Sequence, residues 1–268
     1  MYISSQELRE RILKIINYTG IHITNLTIET RFLLELFNKS KNYFEKNRIY
    51  RMKIALAEAK KLQENIDCLL FVKTLNIVPY LHTDIDGIAP PNFIGKIVKV
   101  LKKMGYIYKN KGPHSYVFSN PKKNVEFELH FKIGLDGICY LKYEDLKISK
   151  LFHEVYNRIL GEDFYFNIPD VYSCLLIELM RILDNKILYA HDMLELILLG
   201  LDSRVVRWLL DLPQTLVFPM LLTPKAYLRV LRYILPKIPL EINPLYIGGH
   251  IVHYASIRNR YTHPREIL

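Results

Sequence analysis

Apolar positions recur every three to four residues from the start of the chain. Leu8, Ile12, Ile15 and Ile16 fall on one face, so the first segment reads as an amphipathic helix. Ser4 or Ser5 can cap it, with Glu7 three residues after Ser4 in capping-box position. A second helix is expected over about 28–43, with Phe32, Leu33, Leu36 and Phe37 inward. A third is expected over about 48–65, where KIALAEAKKLQ is rich in strong helix formers.

The period then changes. CLLFV, Cys68 to Val72, is the short continuous apolar run of a buried central strand. LHTDIDG, Leu81 to Gly87, reads as a second strand that ends at APP, with Pro91 in the first turn of a following helix. That helix covers about 92–104; Phe93, Ile97, Val98, Leu101 and Met104 share a side, and Gly105 ends it. SYVFSN and NVEFELHF then form a hairpin through Pro121. In its second arm Val125, Phe127, Leu129 and Phe131 alternate with Glu126, Glu128 and His130, which assigns the acidic residues to the face away from the core. A further short strand is expected near Gly137 to Leu141.

From about 149 onward the pattern is almost wholly helical, with segments near 150–160, 170–183, 190–199, 205–212, 224–235 and 251–261 punctuated by prolines. The fold class is therefore α+β: a mixed sheet with flanking helices and a helical C-terminal region. The expected division is a helical segment over 1–65, an α/β core over 66–148 and a helical domain over 149–268.

Composition adds two constraints. The formal net charge of +10 favours an anionic partner such as a nucleic acid, a nucleotide or a lipid headgroup. Three widely spaced cysteines, Cys68, Cys139 and Cys174, form no zinc-knuckle spacing and no disulfide framework, which points to reduced thiols and a cytoplasmic setting. The N-terminus lacks the pattern of a secretory signal, and charged residues interrupt each apolar stretch before it reaches bilayer-spanning length.

The chemistry concentrates in acids on strands. Asp84 and Asp86 project from one face, roughly 6–7 Å apart along the strand. Two carboxylates so placed repel each other unless a cation or a donor lies between them. If Glu128 neighbours them, three hard oxygen ligands converge in a set suited to Mg2+ or Mn2+. Glu126 and His130 flank the third carboxylate as supporting or substrate-contacting groups.

The stretch from Phe71 to Phe131 resembles the nucleotidyltransferase superfamily of the polymerase-beta type, in particular its compact bacterial and archaeal branches. Members carry a strand with two metal-binding aspartates, a helix ending in LxxxGY and a third acid on a later strand, often as ELH. TDIDGIAP, VLKKMGY and FELHF stand here in that order and spacing. The resemblance implies a nucleotidyltransferase-like core in which Asp84 and Asp86 are metal ligands and Glu128 completes the site and helps activate the acceptor. It also matches Lys73 to a lysine preceding the motif, His114 to a polar position entering the hairpin and Asp192 to a recurrent aspartate of the C-terminal helices.

The Gly-Ser that grips donor phosphates across the broad superfamily is absent, and Thr74 stands where the narrower branch has glycine. Thr74 or Thr83 would have to supply a hydroxyl.

Two further features bear on partners. Eight lysines and no acid lie between Lys96 and Lys123. Lys96, Lys99 and Lys103 share a helical face, a landing surface for a triphosphate or a nucleic-acid backbone. Near the end, RNRYTHP places Arg258 and His263 in a pattern that resembles small helical ribonucleases. The expected reaction is metal-dependent transfer of a nucleoside monophosphate from an NTP to a hydroxyl of an RNA or protein acceptor. The alternatives are a nonturnover module of the same fold binding nucleic acid or protein, and RNA cleavage by Arg258 and His263.

Overall fold

The computed structural model describes residues 1–19, 43–73, 75, 77–78, 84–112, 114–135, 139–213, 216 and 218–238. The helix expected over 28–43 lies outside these residues except for Tyr43, and the one expected over 251–261 lies outside them altogether.

The chain opens with β1 (Tyr2–Ile3) and α1 (Ser5–Thr19), where the Ser4 hydroxyl accepts from the Glu7 amide at 3.2 Å. Leu8, Ile12 and Ile16 are buried, so the apolar stripe faces the core. The next helix, α2 (Tyr43–Asn65), is longer than its sequence pattern suggests and precedes β2 (Leu70–Phe71) and β3 (Asp84–Ile88). A short 3₁₀ turn at Pro91–Phe93 leads into α3 (Ile94–Lys103), which Gly105 ends at φ +86°. The hairpin strands follow: β4 (Ile107–Lys111), β5 (Ser115–Asn120) and β6 (Val125–His130).

These strands form one five-stranded mixed sheet in the order β2-β3-β6-β5-β4. Only β3 and β6 run parallel, with Asp84 opposite Glu126, Asp86 opposite Glu128 and Ile88 opposite His130. The alternation of β6 decides its orientation: Val125, Phe127 and Leu129 are buried in the core. Close packing beneath β3 leaves no room for a side chain at Gly87, where a Cβ would stand 2.7 Å from Leu69 Cδ1 and 3.0 Å from Phe127 Cε2.

Beyond this sheet come β7 (Lys132–Leu135), β8 (Cys139–Lys142), β9 (Ile148–His153), α4 (Glu154–Leu160) and β10 (Phe166–Pro169). The remainder comprises α5 (Val171–Asn185), β11 (Ile187–Leu188), α6 (Ala190–Leu198), α7 (Ser203–Leu209), β12 (Met220–Leu221) and α8 (Pro224–Ile234). The architecture is thus a multi-stranded mixed sheet with flanking helices and a more helical C-terminal region. Among the described residues no helix is long and apolar enough to cross a membrane.

Two expectations change. CLLFV is not a central strand: β2 holds only Leu70 and Phe71 and stands at the end of the sheet order. It is apolar on both faces because β10 and other elements pack over that end, which buries it as fully as a central position would. Residues 148–153 are strand rather than the first turn of a helix, because β9 finds partners on both sides, β1 in parallel and β10 in antiparallel. Long-range pairing overrides local helical pattern there.

Candidate metal centre

Two neighbouring strands deliver the acids. Partners across a β ladder lie about 5 Å apart, so the register sets Asp86 beside Glu128 and Asp84 beside Glu126 on one face of the sheet. His130, two residues beyond Glu128, turns back to the pair. Its Nε2 lies 3.1 Å from Asp86 Oδ1 and 3.8 Å from Glu128 Oε1. Asp86, Glu128 and His130 can each offer one ligand atom such that all lie within 4.8 Å of one another.

The face is graded in exposure. Asp84 is exposed, the Glu128 side chain is 37% accessible, and His130 is 1% accessible. A ligand from solvent therefore meets Asp84 and Glu128 first, while Asp86 and His130 form the floor. The His114 ring stacks on the His130 ring, with centroids 6.3 Å apart. His130 Nδ1 is buried without a hydrogen-bond partner among the described residues.

Ser115 carries no signal of its own in the sequence. Antiparallel pairing of β5 with β6 sets it opposite His130, and its hydroxyl donates to Glu128 Oε1 at 2.5 Å. Only the hairpin register could have revealed it. Ser115 is buried, so this bond fixes the rotamer of a half-exposed carboxylate from the protein side.

The donor set fits a divalent cation that accepts carboxylate oxygens. Two carboxylates facing each other across a ladder, with a third two residues along one of the strands, repel one another unless positive charge offsets them. An imidazole nitrogen in the set widens the choice from Mg2+ toward Mn2+, which accepts mixed oxygen and nitrogen ligands. As an N–H donor at 3.1 Å, His130 instead orients Asp86.

The other sequence candidates are placed elsewhere or lie outside the described residues. Glu126 is exposed and ion-paired with Lys109. Lys96, Lys99 and Lys103 lie on the exposed side of α3, a separate element from the two acidic strands. Lys73 is half-buried just after β2 in a left-handed conformation, φ +63°. Asp192 is fully buried in α6, where Arg181 and His191 contact it and the Tyr189 amide donates to it at 2.7 Å. Against the cost of burial, the Arg181 guanidinium and its hydrogen-bond partners hold its carboxyl below the usual carboxylate range. It is a structural acid within the helices rather than part of the sheet cluster. Thr74, Thr83, Arg258 and His263 lie outside the described residues.

No family model matches the chain, and no curated protein matches it. Among solved structures it is similar to the lincosamide antibiotic adenylyltransferase LnuA with lincomycin bound: 13% identity, TM-score 0.38, covering 54% of this chain and 93% of that one. It is also similar to ANT(2'')-Ia in complex with adenylyl-2''-tobramycin, at 10% identity and TM-score 0.34, covering 78% of this chain and 98% of that one. A solution structure of the antibiotic-resistance factor ANT(2'')-Ia gives 9% identity and TM-score 0.32, covering 78% and 92%. Superpositions this loose carry no functional argument, which falls to the residues themselves.

Proposed function

We propose that the chain is a metal-dependent nucleotidyltransferase that moves a nucleoside monophosphate from an NTP to a hydroxyl group. The observation that carries this reading is the parallel register of β3 and β6, which sets Asp86 against Glu128 with His130 between them. The sequence resemblance of TDIDGIAP and FELHF to the polymerase-beta type supports it.

In this reading Asp84 and Asp86 hold Mg2+ or Mn2+ together with Glu128, and the donor is the NTP. A bound divalent ion supplies charge neutralisation on the triphosphate. Glu128, held from behind by Ser115, orients the acceptor hydroxyl and takes its proton. The acceptor oxygen bonds to the α-phosphorus, the bond from that phosphorus to the bridging oxygen breaks, and pyrophosphate leaves. His130 keeps Asp86 turned toward the cation. The exposed lysines, Lys96, Lys99 and Lys103 with Lys73, Thr74 and Thr83, draw in or contact phosphate. The net charge of +10 favours RNA as the acceptor, with a protein hydroxyl as the other outcome of the test.

Incubation with α-labelled NTPs, Mg2+ or Mn2+, and either total RNA or total protein tests the reading. Label transfer to one acceptor class that is lost in Asp84→Ala/Asp86→Ala is the expected result. Transfer that persists in the double variant overturns the site. Tight RNA binding without transfer would mark a nonturnover module, and RNA cleavage lost in His263→Ala would move the chemistry to the C-terminal Arg258 and His263.

A further inference from the structure

The chain crosses from β2 to β3 through a connection of which Val72, Lys73, Leu75, Ile77 and Val78 are described. There it meets two buried polar side chains of the C-terminal half. The Ile77 amide donates to Glu195 Oε1 at 2.8 Å and the Val78 amide to Glu195 Oε2 at 2.7 Å. His153 Nε2 lies 3.0 Å from the Ile77 carbonyl, and because a carbonyl only accepts, the ring is the donor. Glu195 and His153 are 4% and 0% exposed. At its start the same connection is tied to β3 by the Val72 amide, which donates to the Asp86 carbonyl at 3.0 Å.

We propose that Glu195 is a positioning residue for the carboxylate site, fixing from α6 the Ile77 and Val78 backbone of the connection between β2 and β3. The proposal rests on the metal-site reading above. Its physical basis is the choice of side chain. The ionised form is costly here: burial and the neighbouring Glu178 push the carboxyl up to about 8, against the pull of the two amides, so the clamp of two acceptors is complete only above that pH. Packing alone would be served better by leucine. A carboxylate is the side chain that presents two acceptors and no donor to two consecutive amides. Those amides belong to an otherwise irregular segment that would be left with two buried unsatisfied donors. The clamp therefore spends stability to define a backbone path. His153 adds a further tie, on the carbonyl of Ile77.

Glu195→Gln separates this from simple packing. It keeps the volume but turns one acceptor into a donor facing a donor. Glu195→Asp keeps both acceptors on a stem one methylene shorter. The full chain and both variants are compared, above pH 8 and at a temperature where all are folded, by hydrogen exchange of the segment holding Ile77 and Val78 and by Mn2+ titration.

The expected result for Glu195→Gln is faster exchange at that segment and Mn2+ binding weakened about tenfold, in the range seen when supporting residues of metal sites are removed. Glu195→Asp should restore part of both. Faster exchange with Mn2+ affinity within twofold of the parent in both variants overturns the positioning role, as does unchanged exchange. A parent chain that binds no Mn2+ sinks the metal-site reading itself and the inference with it, an outcome distinct from either of these. If Glu195→Gln does not fold, the same comparison is made with Glu195→Asp alone against the parent.

Discussion

Two groups of carboxylates in this molecule invite comparison. One is the sheet cluster of Asp84, Asp86, Glu126 and Glu128. The other is the helical cluster of Glu178, Asp192 and Glu195. The helical acids are all buried and each is closed by groups of the chain itself. Arg181 donates to Glu178 from Nε at 2.9 Å and from Nη2 at 2.5 Å and also pairs with Asp192, while backbone amides satisfy Glu195. The sheet acids climb from a buried floor to an exposed rim and are met by a serine hydroxyl, an imidazole and, at Glu126, a surface lysine. Density of acidic groups does not distinguish a binding site from scaffold. Accessibility does differ: the helical cluster is sealed around its own guanidinium, and the sheet cluster rises from buried Asp86 to the exposed Asp84 and Glu126.

That contrast can be broken at its strongest point. Arg181→Leu leaves Glu178 and Asp192 buried without their cation and should cost about 3–5 kcal/mol of stability, measured by urea unfolding. Asp86→Asn removes a like charge beside Glu128 and should leave the unfolding midpoint unchanged or slightly raised. If the two variants destabilise equally, the division between structural and ligand-binding acids fails.

The next effect comes from pH. Burial lowers His153 from 6.5 to about 4, so between these values the unfolded chain binds a proton that the folded chain does not. Stability contributed by the neutral ring is fully present above pH 6.5 and is lost as pH falls toward 4, by about 3 kcal/mol for this group. His153→Gln keeps an N–H donor for the Ile77 carbonyl but does not titrate. It should flatten that portion of the stability profile, and a profile identical to the parent's would contradict the assignment.

The smallest expected change sharpens the sheet side. Ser115→Ala removes the donor that fixes Glu128 and should cost about 1 kcal/mol of stability or less while weakening Mn2+ binding several-fold. Loss of stability without any change in Mn2+ affinity would make Ser115 a packing residue.

Legibility in the sequence followed the range of the interactions. The alternation of VEFELH and the spacing of DIDG are local, period-two signals, and they place β6, β3 and the orientation of their acids directly. The helix from Ile94 ends at the glycine that its pattern nominates. By contrast, KLFH, Lys150 to His153, looks like the start of a helix because nothing local reports β1, which lies far away in sequence and supplies one edge of its pairing. Glu195 is hidden for the same reason. It is one acid within MLELILL, and its partners are amides 117 and 118 residues away. Ser115 lies between these extremes, recoverable only once the hairpin register is known.

The most direct test of the central claim is a Mn2+ titration followed by the loss of the free-ion electron paramagnetic resonance signal. Parent, Asp86→Asn, Glu128→Gln and Glu178→Gln chains are compared under conditions where all are folded. The account predicts saturable binding by the parent and by Glu178→Gln, weakened about a hundredfold or more in Asp86→Asn and Glu128→Gln. Equal binding by all four chains, or none by the parent, would contradict it.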